Sequence, residues 1–125
     1  MRGRFERGKA AETHGRRSET LAALFLACKF YRVIGRRVRT RAGELDLIVK
    51  SPSGLICFVE VKARGLENHA IEAVSIRQRQ RIARAAELYL GARPGLRHKG
   101  VRFDAVLVTP RRWPVHLKDA WRPGS

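Results

Sequence analysis

Cysteine is scarce: the 125 residues contain only Cys28 and Cys57, with no Cys-x-x-Cys pair and four scattered histidines. That pattern excludes a disulfide framework and a structural zinc site. Both cysteines lie inside apolar stretches, Leu26-Ala27-Cys28 and Ile56-Cys57-Phe58, and read as small buried hydrophobes. Long apolar runs are missing as well. The longest, Leu21 to Cys28, has eight residues, against the ~18 of a membrane-spanning helix, so no membrane partner is expected. No Ala-x-Ala-like site follows an apolar core after the basic start Met1-Arg2-Gly3-Arg4, so no secretory signal is read and the expected compartment is the cytoplasm. Internal repeats are absent from the chain.

Acidic residues are the third scarcity. Against 27 Lys and Arg stand 11 Asp and Glu, a net charge of +16 with a pI near 11.5. A small domain stays soluble with a charge magnitude of ~2–8. The excess therefore points to a polyanionic partner, nucleic acid first, whose phosphates arginine contacts in a bidentate fashion. A merely solubilising surface is the plain alternative.

The length suits one domain, and 44% hydrophobic residues argue against general disorder. Residues 1–12 read as a flexible basic arm, 13–121 as the folded domain and 122–125 as a tail. From about Thr13 to Lys29 the pattern is helical, with Leu21, Leu24, Phe25 and Cys28 on one face and Ala22, Ala23 and Leu26 widening it. Tyr31 to Arg39 reads as an edge strand. Strands at Glu44–Lys50 and Leu55–Lys62 flank the turn Ser51-Pro52-Ser53-Gly54, an antiparallel hairpin. After a loop over 63–74, Ser75 caps a helix from Ile76 to about Leu90, which puts Arg77, Arg81 and Arg84 opposite its apolar side. A strand from Val101 to Thr109 follows, and Pro114 to Leu117 can add a short edge strand. The expected fold is α/β: a mixed sheet with helices on both faces, in the order α-β-β-β-α-β.

In so basic a chain most acids should be surface ion-pair partners. Asp46 and Glu60 instead interrupt apolar runs in adjacent strands of one hairpin. Alternation puts Glu44, Asp46 and Ile48 on one face of their strand, opposite Leu45, Leu47 and Val49. In the next strand Ile56, Phe58, Glu60 and Lys62 share a face. Two converging carboxylates repel each other and lose hydration, which a divalent cation such as Mg²⁺ or Mn²⁺ offsets best. Lys62, about 6–7 Å along the strand from Glu60, is placed to orient an attacking water or to balance charge on phosphorus. The alternative is a metal-free Asp–Lys–Glu ion cluster, which is a poor source of stability.

Gly43-Glu44-Leu45-Asp46-Leu47-Ile48 followed by Phe58-Val59-Glu60-Val61-Lys62 resembles the PD-(D/E)xK nuclease signature. With Gly15-x-x-x-Glu19, the helix ending Ala86-Glu87-Leu88-Tyr89-Leu90, and Arg102-Phe103-Asp104, residues 12–121 more closely resemble the YraN family of small bacterial proteins. The resemblance implies a restriction-endonuclease-like fold, Holliday-junction-resolvase-like in type. It implies Asp46 and Glu60 as metal ligands and Lys62 as the residue assisting the water. It also adds Glu19 as a further metal-facing acid, which otherwise reads as a first-turn acid favoured by the helix dipole. Where the family often carries a lysine, this chain has Gln78 or Arg79, and Gln78 falls on the apolar side as a neutral donor facing the site. Glu44 reads as a neighbour of the ligands or simply as the mouth of its strand, and Asp104 as a structural partner for an arginine.

The expected activity is Mg²⁺- or Mn²⁺-dependent hydrolysis of phosphodiesters, with DNA ahead of RNA and structure ahead of sequence as the basis of choice. Arg64, Arg77, Arg81 and Arg84 are the expected phosphate-tracking residues, and a homodimer would suit paired cuts. The competing readings are a nucleic-acid binder that keeps the fold without cutting, and a small ribosome-associated basic protein.

Overall fold

A computed structural model describes residues 17–63 and 74–123. Helix α1 covers residues 17–28. It is followed by β1 (Arg32–Thr40), β2 (Gly43–Lys50), β3 (Ile56–Ala63), α2 (Ile76–Gly91), β4 (Val101–Val108) and β5 (Val115–Trp121). The strands form one sheet in chain order. Neighbours are antiparallel except β3 and β4, which run parallel. A parallel pair needs a crossover, and the segment carrying α2 supplies it. The mixed sheet with a helix on each face is the expected architecture, extended by β5, a full seven-residue strand reaching Trp121. The arm assigned to residues 1–12 and the tail end 124–125 lie outside the described residues, as does Arg64.

Local chemistry explains the joints. At the hairpin between β2 and β3, the Leu55 amide donates to Ser51 Oγ at 3.0 Å and Gly54, at φ +98°, closes the turn onto the Ser51 carbonyl. Ser75 caps α2 by accepting from the Gln78 amide at 3.2 Å. Beneath α2, Ile82, Ala85, Ala86, Tyr89 and Leu90 pack on Ile48, Ile56, Phe58 and Phe103. On the other face, Ala22, Ala23 and Leu26 of α1 pack on Leu47, Val49, Cys57 and Val106. Each fully buried Leu, Ile or Phe contributes about 1.5–3 kcal/mol.

Two facial assignments are corrected. The buried side of α1 is Ser18, Glu19, Ala22, Ala23 and Leu26, while Leu24 is 60% exposed, Leu21 is exposed, and so is Cys28. The small alanines let the helix backbone approach the sheet, so the bulkier stripe is turned outward. In β2, Leu45 joins Ile48 under α2 instead of lying with Leu47 and Val49. Alternation breaks because β2 and β3 are in register only over Leu47–Lys50 with Ile56–Val59. Upstream of Leu47 the two strands fork, and the Asp46 carboxylate, through Oδ2, accepts the Val61 amide at 3.0 Å in place of the ladder.

Candidate functional site

The fork opens where the chemistry-bearing residues lie. Glu60, on the α2 side of β3, accepts Gln78 Nε2 at 2.8 Å and lies 3.5 Å from Lys62 Nζ. Its carboxyl lies close enough to that of Asp46 for each to act on the other's charge. Two carboxyls this near each other favour a state in which one holds a proton. Burial first, and the Asp46 charge second, push Glu60 up to about 8, although Lys62 and Arg81 pull it down. Asp46 is also raised, by burial, against the opposing hydrogen bonds from the Val61 amide and Glu60. Burial and mutual repulsion thus favour a proton held by the pair near neutral pH.

Glu19 brings a third carboxylate from the start of α1. It is 7% exposed, and its Oε2 atom has no hydrogen-bond donor among the described residues, with Arg37 Nη1 at 3.7 Å as an ion-pair neighbour. Burial, and then the Asp46 charge, raise its pKa. Glu44 completes the group: carboxylate oxygens of Glu19, Glu44 and Asp46 all lie within 4.8 Å of one another. Among the described residues this trio, and not Asp46, Glu60 and Glu19, is the set with mutual ligand spacing. Glu60 is attached to it through Asp46. Glu44 thus stands among the prospective ligands, not behind them, because the break in β2 alternation turns it toward Glu19.

An all-oxygen set with an orphaned buried carboxylate atom and a retained proton fits a hard divalent cation. Glu19, Glu44 and Asp46 would hold it, with Glu60 alongside once its proton has left.

Arg37 was not singled out by the sequence, where it is one of many arginines. It lies between Arg36 and Val38, which pair with Leu47 and Leu45 of β2, and has a left-handed backbone (φ 49°). Its Nε is 3.5 Å from Glu44 Oε1, so one guanidinium spans Glu44 and Glu19. Arg39 Nε approaches the other Glu44 oxygen at 3.7 Å. No local pattern announces such a residue, since its role comes from a backbone irregularity.

Of the expected phosphate-tracking residues, Arg77, Arg81 and Arg84 are exposed on α2. Arg81 does not simply face away. Its stem covers Gly43, where an added Cβ would sit 3.0 Å from Arg81 Cδ, and its charge acts on Glu60. Gly43 has φ +138° and leaves the room that Arg81 uses.

A second buried carboxylate lies elsewhere in the sheet. Asp104 is wholly buried and bound by Arg102 Nε and Nη2 at 2.8 Å each, His116 Nε2 at 2.7 Å and the Asp119 amide at 3.0 Å. Arg102 also donates to Tyr31, and Lys29 Nζ meets His116 Nδ1 at 2.7 Å. This network ties β4 to β5 and to the exit of α1.

Comparison with known sequences places these strands in a family. The sequence model of the uncharacterised protein family UPF0102 matches residues 18–108. A UPF0102 protein of Parvibaculum lavamentivorans is 53% identical over 116 residues, spanning 93% of this chain and 86% of its own. Others from Maricaulis maris and Agrobacterium fabrum are 45% and 43% identical, spanning 94% and 95% of this chain and 91% and 97% of theirs. The matched region holds every described member of the acidic site, and the chain belongs to the uncharacterised protein family UPF0102, the YraN family its motifs resemble.

Proposed function

We propose that this protein is a divalent-metal-dependent nuclease that hydrolyses phosphodiesters in nucleic acid, DNA first. The observation that carries the reading is the convergence of Glu19, Glu44, Asp46 and Glu60 at the β2–β3 fork, with an undonated carboxylate oxygen and Lys62 beside it. Acids held this close, in a chain of charge +16, cost stability unless they serve a ligand.

A bound Mg²⁺ or Mn²⁺ would polarise the scissile phosphate and make a water nucleophilic near neutral pH. The chain's residues supply the rest. Glu19, Glu44 and Asp46 provide the oxygen cage, and Gln78 aims the Glu60 carboxyl through their 2.8 Å hydrogen bond. Glu60, once deprotonated, can take a proton from the attacking water, while the Lys62 ammonium offsets charge gathering on phosphorus. The water oxygen forms the new bond to phosphorus, the bond to the leaving sugar oxygen breaks, and that oxygen collects a proton from solvent. Arg77, Arg81 and Arg84 would meet flanking phosphates.

The test is a Mg²⁺ and Mn²⁺ cleavage panel over linear, gapped, flapped and four-way DNA and structured RNA, with wild type beside Glu60→Ala and Lys62→Ala. Cleavage by wild type that both variants lose supports the nuclease. Tight binding of these substrates with no cleavage of any would leave a non-catalytic nucleic-acid binder on the same fold.

A further inference from the structure

The outward stripe of α1 does not meet bare solvent alone. Leu21, Leu24 and Phe25 line one side of a groove of about 850 Å³, within the size range of ligand pockets. The loop joining β4 to β5 forms its other side, with Pro110, Arg111, Arg112 and Trp113. Trp113 is 84% exposed, and Leu21 and Leu24 are more than half exposed. So large an apolar exposure on one patch marks a binding surface.

Two observations say what it binds. The first is charge: Arg17, Arg111 and Arg112 edge the groove, and among the described residues no acidic one lines it. The second is position. In the parallel pair, Lys62 and Ala63 stand opposite Leu107 and Val108, so the Trp113 loop leaves the sheet at the end that carries Lys62. Arg17 and Ser18, both in the groove lining, immediately precede Glu19 in α1. The groove therefore adjoins the acidic site.

A duplex hides the faces of its bases and shows phosphates, which would leave an apolar floor unused. An unpaired strand offers both features at once, flat apolar bases and a line of anions. A second copy of this chain would cover the floor but bring two sets of arginines together at +16 each. We propose that this groove holds an unpaired stretch of nucleic acid, with a base stacked on Trp113 and flanking phosphates on Arg111, Arg112 and Arg17. The proposal rests on the nuclease reading for its purpose, and makes the substrate a strand with single-stranded character entering the site.

Fluorescence anisotropy in EDTA tests it with oligothymidylate, oligouridylate, an abasic strand of equal length and a blunt duplex. Wild type should prefer the base-bearing strands. Trp113→Ala should lose about tenfold in affinity for them, with duplex and abasic binding unchanged, and Trp113→Phe should retain most of the affinity. Oligothymidylate, and not duplex, should slow alkylation of Cys28, which lines the groove and is exposed.

Equal affinity of Trp113→Ala and wild type for oligothymidylate would overturn the proposal. So would an equal loss on duplex, or a dimer in sedimentation that Leu24→Asp dissolves. The assay runs in EDTA, so it reads binding alone and needs no catalysis. Trp113-dependent binding without cleavage would defeat the nuclease alone, while cleavage without Trp113 dependence would defeat the groove alone.

Discussion

Two buried carboxylate groups sit in the same sheet and are treated in opposite ways. Burial pushes Asp104 up, yet the hydrogen bonds from His116, Arg102 and the Asp119 amide outweigh it, and its carboxyl stays below the usual aspartate range. At the fork the balance reverses: burial and mutual repulsion hold Glu60 at about 8, and Glu19 has a buried oxygen without a donor. A charge surrounded by its donors is part of the scaffold. Charges gathered with too few donors are stable only with an added cation or a retained proton, and that shortage is the physical mark of a site.

The largest test of this contrast swaps the consequences. Asp104→Ala strands Arg102 and His116 around a hole and should lower the unfolding free energy by about 3–5 kcal/mol, read by urea denaturation. Glu60→Ala should leave folding intact and reduce Mg²⁺-dependent cleavage about a thousandfold, the several kcal/mol expected when the metal-held charge balance is lost. Comparable destabilisation by both would erase the distinction.

Next in size is the pH response without metal. Glu60 holds its proton more tightly folded (about 8) than unfolded (near 4.5), so the folded state binds more protons between those values. Stability is then complete below about 4.5 and falls as pH rises through about 8, by about 1–3 kcal/mol. Thermal melts in EDTA should show the decline, Glu60→Gln should flatten it, and Mn²⁺ should protect most on the alkaline side. Asp104 has the opposite sign. With its folded pKa depressed below 3.8, its contribution is present above that value and disappears only in acid.

Arg37 sharpens the comparison at smaller scale, because its guanidinium spans Glu19 and Glu44 where a cation would compete with it. Arg37→Asn keeps a residue that tolerates the left-handed backbone. It should bind Mn²⁺ several-fold more tightly by calorimetry while costing the metal-free protein about 1 kcal/mol or less. Unchanged Mn²⁺ affinity would remove Arg37 from the site. The smallest effect is in thiol reactivity. Native protein should be alkylated at Cys28 alone, since burial pushes the Cys57 thiol up to about 12 and closes it to reagents. Mass spectrometry reads the difference.

Much of the site is visible in the chain because isolated acids in apolar runs are costly. Asp46 and Glu60 stand out as interruptions, Lys62 follows from period two, and Gln78 reaches Glu60 from the apolar side of α2. Glu19 entered through family resemblance, and the structure puts it within ligand distance of Asp46. Glu44 was harder to place, since its orientation depends on where β2 departs from β3. Arg37 left no trace at all among so many basic residues.

The sequence by itself determined the order of helices and strands, the hairpin at Ser51–Gly54, the cap at Ser75 and the excess of positive charge. These follow from side-chain periodicity, turn chemistry and titration, all properties of neighbours along the chain. Only the tertiary structure decided which side of α1 is covered, where β2 and β3 fork, and that Arg37 lies between Glu19 and Glu44. Periodicity tells which residues of an element share a face, but which face is buried depends on how closely the backbones can approach. In α1 the small Ala22 and Ala23 settled that in favour of the side carrying Glu19, leaving the leucine stripe to line the groove.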